Sequence, residues 1–374
     1  MHMNQAKKVC IVSPIHDYKD IRVYQKQAKT IENSGYEVSL LARKDYDEKI
    51  GNIQIFAIPK SKNFLSRIIL QPKLLCKILK TRSKIVHLHN PDTILLGFLL
   101  KMFNKKVIYD THEDFSKRIL IREWIPYSYR KLIAKVVTSL ELMASRCFDG
   151  FIVTQEGLLA KYKNALLIEN APIHQGELIK RAYELSKLIS KSNYIRVVYV
   201  GGISEQRGLR QIVQALEEIN KTYSCRLWLI GPDSKEINEL QKLNGWKYVD
   251  YLGKLPQEKA FSYVIKSDIG LCTILDVVDH AETSPNKIFE YMTLGIPFIA
   301  SDFPKWEKKI GCSNAGYFVD PQNINKIADL ILKIGSDENL KSYLSNNGKK
   351  YIYEKFNWER ESEKLIEYYK KINQ

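Results

Sequence analysis

The chain has 374 residues, 45% of them apolar and 11% aromatic, with no low-complexity tract; this excludes a disordered or fibrous protein and suits two domains with separate cores. Six cysteines, Cys10, Cys76, Cys147, Cys225, Cys272 and Cys312, lie far apart with no C-x-x-C pair, which argues against a disulfide framework or a zinc site and for a reducing, cytoplasmic setting. The net charge of +16 is uneven: residues 1–170 hold 29 Lys/Arg against 16 Asp/Glu, a net of +13, so the first half seeks phosphate on a nucleic acid, an anionic membrane or an anionic small molecule.

In chain order, "VCIVSP" after Lys8 has strand length, a helix-like stretch over 20–34 ends at Gly35, and "YEVSLLA" is strand again. Asp20 is placed to cap that helix, and Arg22 in its first turn is a candidate to reach phosphate or acceptor. The alternation continues through "NIQIFAIP", a helix over 63–81, "IVHLH", a helix over 91–103, "KVIYD", a basic amphipathic stretch over 119–146, "GFIVT" and "ALLIEN". The apolar run "TILLGFLLKMF" is too short to span a bilayer and carries Lys101, so it reads as a buried helix. The N-terminus lacks the apolar stretch of a signal peptide. A mostly polar, helical connection over 171–193 leads to a second series of strands, "IRVVYVGG", "CRLWLIG", "YVDYLG", "DIGLCTI", "IPFIASD" and "AGYFVD", with helices between them and three helical stretches after Pro321. Strands alternating with helices predict parallel sheets covered on both faces, here two doubly wound α/β domains, over 1–170 and 194–355. Ligands of such sheets sit at the carboxyl ends of the strands, which makes the cleft between the domains the expected active site.

"AETSPNKIFEYMTLGIPFIASD" (281–302) carries the most specific pattern. Ser284 before Pro285 signals a helix start, with Gly295 at the C-cap, and the helix N-terminus around Ser284 to Lys287 makes an anion site. Glu282 precedes that helix and Glu290 lies nearly two turns inside it, so the two carboxylates reach opposite ends of whatever binds there. A sugar nucleotide has that layout, with its diphosphate between a ribose diol and a sugar. On spacing alone, a solvent-facing Glu290 and a loop Glu282 remain the alternative.

The stretch resembles the retaining glycosyltransferases of family 4, two Rossmann-like domains facing across a donor cleft (GT-B), whose E-x7-E motif reads here Glu282-TSPNKIF-Glu290. The resemblance implies that Glu282 contacts the transferred sugar, that Glu290 binds the ribose, and that the backbone of Thr283, Ser284, Pro285 and Asn286, with Lys287, cradles the diphosphate. "VYVGGISEQRGLRQIVQAL" resembles the family's glycine loop: Arg207 stands where a phosphate-binding lysine is usual, and Gly202 replaces an arginine beside Gly201. Leu255 of "YLGKL" corresponds to the nucleobase loop. His112 in "VIYDTHEDF" matches a strand-end histidine implied to touch donor sugar or assist proton transfer, with Glu113 beside it as an acceptor candidate. The C-terminal helix over 356–374 is implied to return to the N-terminal domain. "DIR" loops like that of Asp20 to Arg22 occur in a subset acting on bacterial surface polysaccharides. The "DYD" at 45–47 matches the metal signature of a different glycosyltransferase fold and reads as solvent-facing, so neither a metal nor another cofactor is expected.

The resulting reading is a retaining transferase that moves a sugar from a nucleotide-sugar donor, UDP-linked by preference, to a hydroxyl of a glycan or lipid-linked glycan. Rivals are a non-hydrolysing sugar-nucleotide epimerase, which needs no acceptor, and a nucleic-acid-binding protein, for which no binding module is seen. Residues 60–135 hold 17 Lys/Arg against 5 Asp/Glu, and Lys117, Arg118, Arg122, Arg130 and Lys131 are interleaved with Trp124, Tyr127 and Tyr129. That mixture suits peripheral contact with an anionic membrane at the inner face of the plasma membrane; packing of the aromatics inside the domain is the alternative.

Overall fold

Strands β1 (Lys8–Asp17), β2 (Glu37–Arg43), β3 (Glu48–Ile50), β4 (Ile53–Ile58), β5 (Ile85–His89), β6 (Lys106–Thr111), β7 (Gly150–Val153) and β8 (Ala165–Leu167) form one sheet in the order β3-β4-β2-β1-β5-β6-β7-β8. They belong to a computed structural model that describes residues 7–61, 64–122, 125–191, 193–277 and 280–374. Every pairing is parallel except β3 with β4. Strands covered on both faces need apolar residues on both, and so β5 is buried at all five positions, His87 and His89 included. This first unit comprises the chain up to Asn170 together with Glu359–Gln374. The helix Trp358–Asn373 belongs to it through buried Leu365, Tyr369 and Ile372, and Tyr368 Oη accepts the Phe151 N–H at 2.9 Å.

The second unit, Ala171–Trp358, holds β9 (Ile195–Val200), β10 (Cys225–Ile230), β11 (Val249–Gly253), β12 (Ile269–Cys272), β13 (Phe298–Ser301) and β14 (Gly316–Val319), all parallel in the order β11-β10-β9-β12-β13-β14. Alternate residues feed two cores. Val197, Tyr199, Leu227 and Leu229 pack with the helices Leu209–Ile219 and Ile324–Gly335, while Val198, Trp228 and Ile230 pack with Gln257–Ile265 and Asn286–Leu294. In both sheets the strand order turns back beside the first strand, the point at whose carboxyl ends ligands of such sheets bind.

Residues 171–193 hold a helix, as read, and that helix, Glu177–Ser186, packs on Gln257–Ile265 inside the second unit. Three local expectations change. The basic stretch over 119–146 is two helices, Phe115–Leu120 and Tyr127–Cys147, because Pro126 interrupts the hydrogen-bond ladder and the Arg130 guanidinium holds the carbonyls of Ile125 and Leu120 at 2.8 and 3.3 Å. Trp124 lies outside the described residues. The helix Ile94–Met102 buries Ile94, Leu96, Gly97 and Leu100 but turns Leu95, Leu99 and Met102 outward. Finally, the segment after "DYD" forms the short β3; Asp45, Tyr46 and Asp47 are exposed as read, and Asp47 Oδ1 accepts the Ala57 N–H at 2.7 Å, which is a turn-holding role.

Glu141 on Tyr127–Cys147 is fully buried, with Tyr162 Oη donating to it at 2.6 Å and Tyr109 Oη and Thr111 Oγ1 approaching at 3.3 and 3.4 Å. Burial raises its pKa above the ordinary glutamate value against the pull of the Tyr162 hydrogen bond and the Lys161 charge. A carboxyl that holds its proton more tightly when folded stabilises the native state fully below the unfolded value, and that contribution is lost as pH rises through the folded one. Glu141→Gln removes this titration. The melting temperature of the variant relative to wild type should therefore rise from pH 4.5 to pH 8, measured by differential scanning; a difference independent of pH would show that Glu141 carries no raised pKa.

Candidate functional site

On the second unit, β9 and β10 run into Gly201 and Gly231 and β11 ends at Gly253, and the ladder continues through them: the Gly201 N–H donates to the Ile230 carbonyl at 2.9 Å and the Gly231 N–H to the Gly253 carbonyl at 3.0 Å. The Gly201 and Gly231 backbones come so close that Gly231 has no room for a Cβ beside the Gly201 carbonyl. Gly201 itself has φ +148°, and the end of the Lys287 side chain occupies the space a Cβ would need. Tyr199 Oη fixes the turn by donating to the Gly202 carbonyl at 2.8 Å. The outcome is a floor of bare backbone spanned by one ammonium group. Gly202 is exposed, with open space around it.

A cavity of about 370 Å³ lies over this floor, lined by Gly201, Gly231, Leu255, Asn286, Lys287 and Glu290 among others. Burial, joined by the like charge of Arg207, lowers the pKa of Lys287 from the usual lysine value. Arg207 sits in the turn Glu205–Arg207, just before Gly208, whose φ of +70° and contact with the Thr273 carbonyl admit no side chain. Lys287, Glu290 and Leu255 thus share one lining, while Arg207 stands outside it but near enough for its charge to act on Lys287.

The loop before the helix differs from the sequence expectation. Pro285, with φ −81° and ψ 69°, is itself the N-cap; the helix is Asn286–Leu294, and Ser284 makes no capping bond. The Thr283 N–H is taken by the His280 carbonyl at 3.2 Å and the Asn286 N–H by the Ser284 carbonyl at 3.0 Å, so these two are not aimed at a ligand. Thr283 Oγ1 also donates to the His280 carbonyl, and its own carbonyl accepts Trp306 Nε1–H at 2.8 Å. Glu282 stands outside the cavity lining, exposed, with Lys305 Nζ donating to its carbonyl at 2.7 Å and lying 3.5 Å from its carboxylate. Gly295 takes the left-handed conformation at φ +74° that ends the helix.

In the first unit the strand ends carry charge instead. Arg22 does not reach outward: it is buried, with Nη2 at 2.8 and 3.1 Å from the two oxygens of Asp110 at the end of β6 and 3.3 Å from the Ile168 carbonyl. Its place in the first turn of Ile21–Ala28, a π-type helix capped by Asp20 through the Val23 N–H, directs it inward. Gln27 Nε2 adds a 2.5 Å bond to Asp110. His112 Nδ1 lies 3.2 Å from Asp110 Oδ1 and its Nε2 3.3 Å from His89 Nδ1. His87 completes a stack, its ring 4.7 Å from that of His89, which is in turn 5.1 Å from that of His112. Burial alone would raise the Asp110 pKa, but Arg22 and then His112 hold it well below the usual range. His89 is pushed well down by burial and by His87. Glu113 pairs with Arg118 at 3.0 Å. Sequence reading missed Gln27, His87, His89 and Tyr369, although two histidines at alternate positions of an apolar strand were a visible signal of one shared face.

His87, His89 and Asp110 offer ligand atoms within 4.8 Å of one another, a donor set chemically suited to a divalent cation. Arg22 already neutralises Asp110, however, and a dication added beside it would leave two net positive charges buried. These three residues do not fit a resident metal.

Residues 22–175 match the family model for glycosyltransferase family 4 and residues 181–351 that for glycosyl transferases group 1. An uncharacterized glycosyltransferase of Methanocaldococcus jannaschii is 23% identical over 74% of this chain and 71% of its own length. The capsular polysaccharide biosynthesis glycosyltransferase CapM of Staphylococcus aureus is 24% identical over 52% and 49%. Among solved structures, sucrose-phosphate synthase from Thermosynechococcus elongatus superposes with a TM-score of 0.78 at 19% identity, covering 98% of this chain and 99% of that one. Anabaena HepE in complex with UDP-glucose gives 0.70 at 14% identity, covering 96% and 98%. Two parallel-sheet α/β units, the E-x7-E helix beside a glycine floor and the two matched family models together make this chain a glycosyltransferase of family 4 with the GT-B fold.

Proposed function

We propose that the protein transfers a sugar, with retention, from a UDP-linked donor to a hydroxyl of a glycan or lipid-linked glycan, in surface polysaccharide synthesis and without a metal ion. The observation that carries this reading is the composition of the cavity on the second unit: glycine backbone and Lys287 where a diphosphate needs close approach and positive charge, Glu290 where a ribose diol needs a paired acceptor, and Leu255 where a base needs an apolar wall. Its volume falls within the range of about 300–1,000 Å³ common for small-molecule sites. CapM's named role and the UDP-glucose complex of HepE support the reading by likeness.

In this account the bond between the sugar's anomeric carbon and the diphosphate breaks, the electron pair leaves with the phosphate oxygen, and a bond forms from the acceptor oxygen, which gives up its proton to the departing phosphate. Arg207, Lys287 and the N-terminus of Asn286–Leu294 stabilise the charge growing on the leaving group. Glu282 serves the sugar from the loop held by Lys305 and Trp306, and Glu290 anchors the nucleotide.

Three expectations follow for calorimetry and turnover in EDTA. Glu290→Ala should weaken UDP binding by roughly 10- to 100-fold, since a charge-assisted hydrogen bond contributes about 1.5–3 kcal/mol, whereas Glu282→Gln should leave UDP binding intact and lower turnover. Equal UDP affinity in wild type and Glu290→Ala would remove the ribose assignment. Arg207→Ala should weaken UDP more than uridine; equal losses would make Arg207 structural.

The first unit is the part we assign to the acceptor and to peripheral contact with the cytosolic leaflet. Among the described residues no helix is long and apolar enough to cross a membrane. The neighbouring helices Phe64–Lys80, Ile94–Met102 and Tyr127–Cys147 nonetheless expose Ile69 (75%), Met102 (82%) and Tyr127 (78%), beside exposed Lys131 and Lys135. Arg130 is engaged in the helix junction, so the useful charge reversals are Arg122, Lys131 and Lys135 to Glu. Co-sedimentation should require anionic lipid, weaken with salt and drop in that triple variant; no binding to anionic vesicles at low salt would favour a soluble acceptor.

A further inference from the structure

The buried carboxylate of Asp110 touches more polar groups than an ion pair with Arg22 requires. His112 Nδ1 lies 3.2 Å from its Oδ1 and His87 Nε2 3.6 Å from its Oδ2; both are close contacts with the carboxylate off the hydrogen-bond axis, and neither nitrogen has a hydrogen-bond partner among the described residues. An ionised carboxylate has only lone pairs to offer, so a nitrogen facing it must carry the hydrogen. Arg22 keeps that carboxylate an anion in a site without solvent.

The rest is forced in sequence. With its hydrogen on Nδ1, neutral His112 has a bare Nε2, and this nitrogen is 3.3 Å from His89 Nδ1. Two bare nitrogens would repel, so His89 carries its hydrogen on Nδ1 and leaves its buried Nε2 bare, which agrees with that atom having no partner. His87 faces the same carboxylate through Nε2, and its Nδ1 shares a 2.6 Å hydrogen bond with Tyr369 Oη, which ties the arrangement to the C-terminal helix. Only His112 of the three reaches solvent, at 18% exposure against zero for the other two.

We propose that Asp110 is a positioning residue that fixes the proton on Nδ1 of His112, and through it orders His89, so that His112 presents Nε2 as the basic nitrogen of the transfer site. A substrate hydroxyl that displaces the His89 contact then donates to Nε2, and His89 holds that nitrogen when no substrate is present. Arg22 and Gln27 act one step further back, on the carboxylate. The role of His112 at the substrate rests on the proposed transferase reading; its tautomer does not.

The test is the nitrogen spectrum of the full chain labelled with 15N at histidine, its seven histidines assigned through single His→Gln variants. His112 should read as the Nδ1–H form. Finding the Nε2–H form, or an even mixture, would overturn the proposal whatever the activity. In Asp110→Asn, whose amide can turn either face to the ring, His112 should lose that fixed form, and turnover should fall at least about 10-fold with little change in KM. In a His112→Ala background the same substitution should cost no further turnover; losses that multiply would show Asp110 acting on the fold and defeat the positioning role. Where Asp110→Asn fails to fold because Arg22 is stranded, Arg22→Met combined with Asp110→Asn removes both charges and must show the same loss of tautomer. Absence of transfer from any nucleotide sugar in wild type would instead count against the proposed function, with the spectra unaffected.

Discussion

A parallel sheet covered on both faces can present polar groups only at its ends, and everything functional in this protein follows from that constraint. Both units obey it differently. The second runs three adjacent strands into glycine and offers backbone, with the cation supplied from a helix across the floor. The first ends β5 and β6 in histidine and aspartate and offers side chains, and so it must also supply a guanidinium to make a buried carboxylate tolerable. One unit leaves room for close approach to its backbone, the other buries a cluster of polar side chains.

Pattern and periodicity made much of the architecture legible. Apolar runs of strand length bounded by Gly, Asn and Pro gave thirteen of the fourteen strands among the described residues, because a strand buried on both faces must be apolar throughout. The short β3 escaped because three residues, Glu48, Lys49 and Ile50, have no apolar period to detect. The E-x7-E helix was visible because a carboxylate pair, a helix start and a Gly-Ile-Pro strand entry fall within one stretch of chain. The capping of that helix was misread: Ser-Pro signals a helix start, but whether serine or proline is the cap depends on the ψ of Pro285, which the loop and not the dipeptide determines.

Side-chain destinations were the harder part. Arg22 looked available because arginine in a first helical turn usually faces water; here a π-type turn and a carboxylate 88 residues away draw it inside. Glu282 and Glu290 share a motif but not a surface, since one stays on an exposed loop tied to Lys305 while the other lines the cavity. Lys287 shows the reverse case. Nothing in "SPNKIF" announces that its ammonium lies over Gly201, because that contact needs the sheet to be assembled first. Long-range pairings of this kind are set by topology, and a single sequence carries no direct record of them.

Both margins of the eight-stranded sheet are three residues long, β3 at one side and β8 at the other. An edge strand is a row of unpaired amide and carbonyl groups that a second chain can adopt, and shortness is the simplest defence. For a molecule that also exposes apolar helix surface this matters: self-association by strand addition is denied a template at either margin. At this sheet, contacts with other bodies are thereby left to side chains, whose charge and hydrophobicity can be tuned, and not to backbone, whose hydrogen bonds would accept any partner.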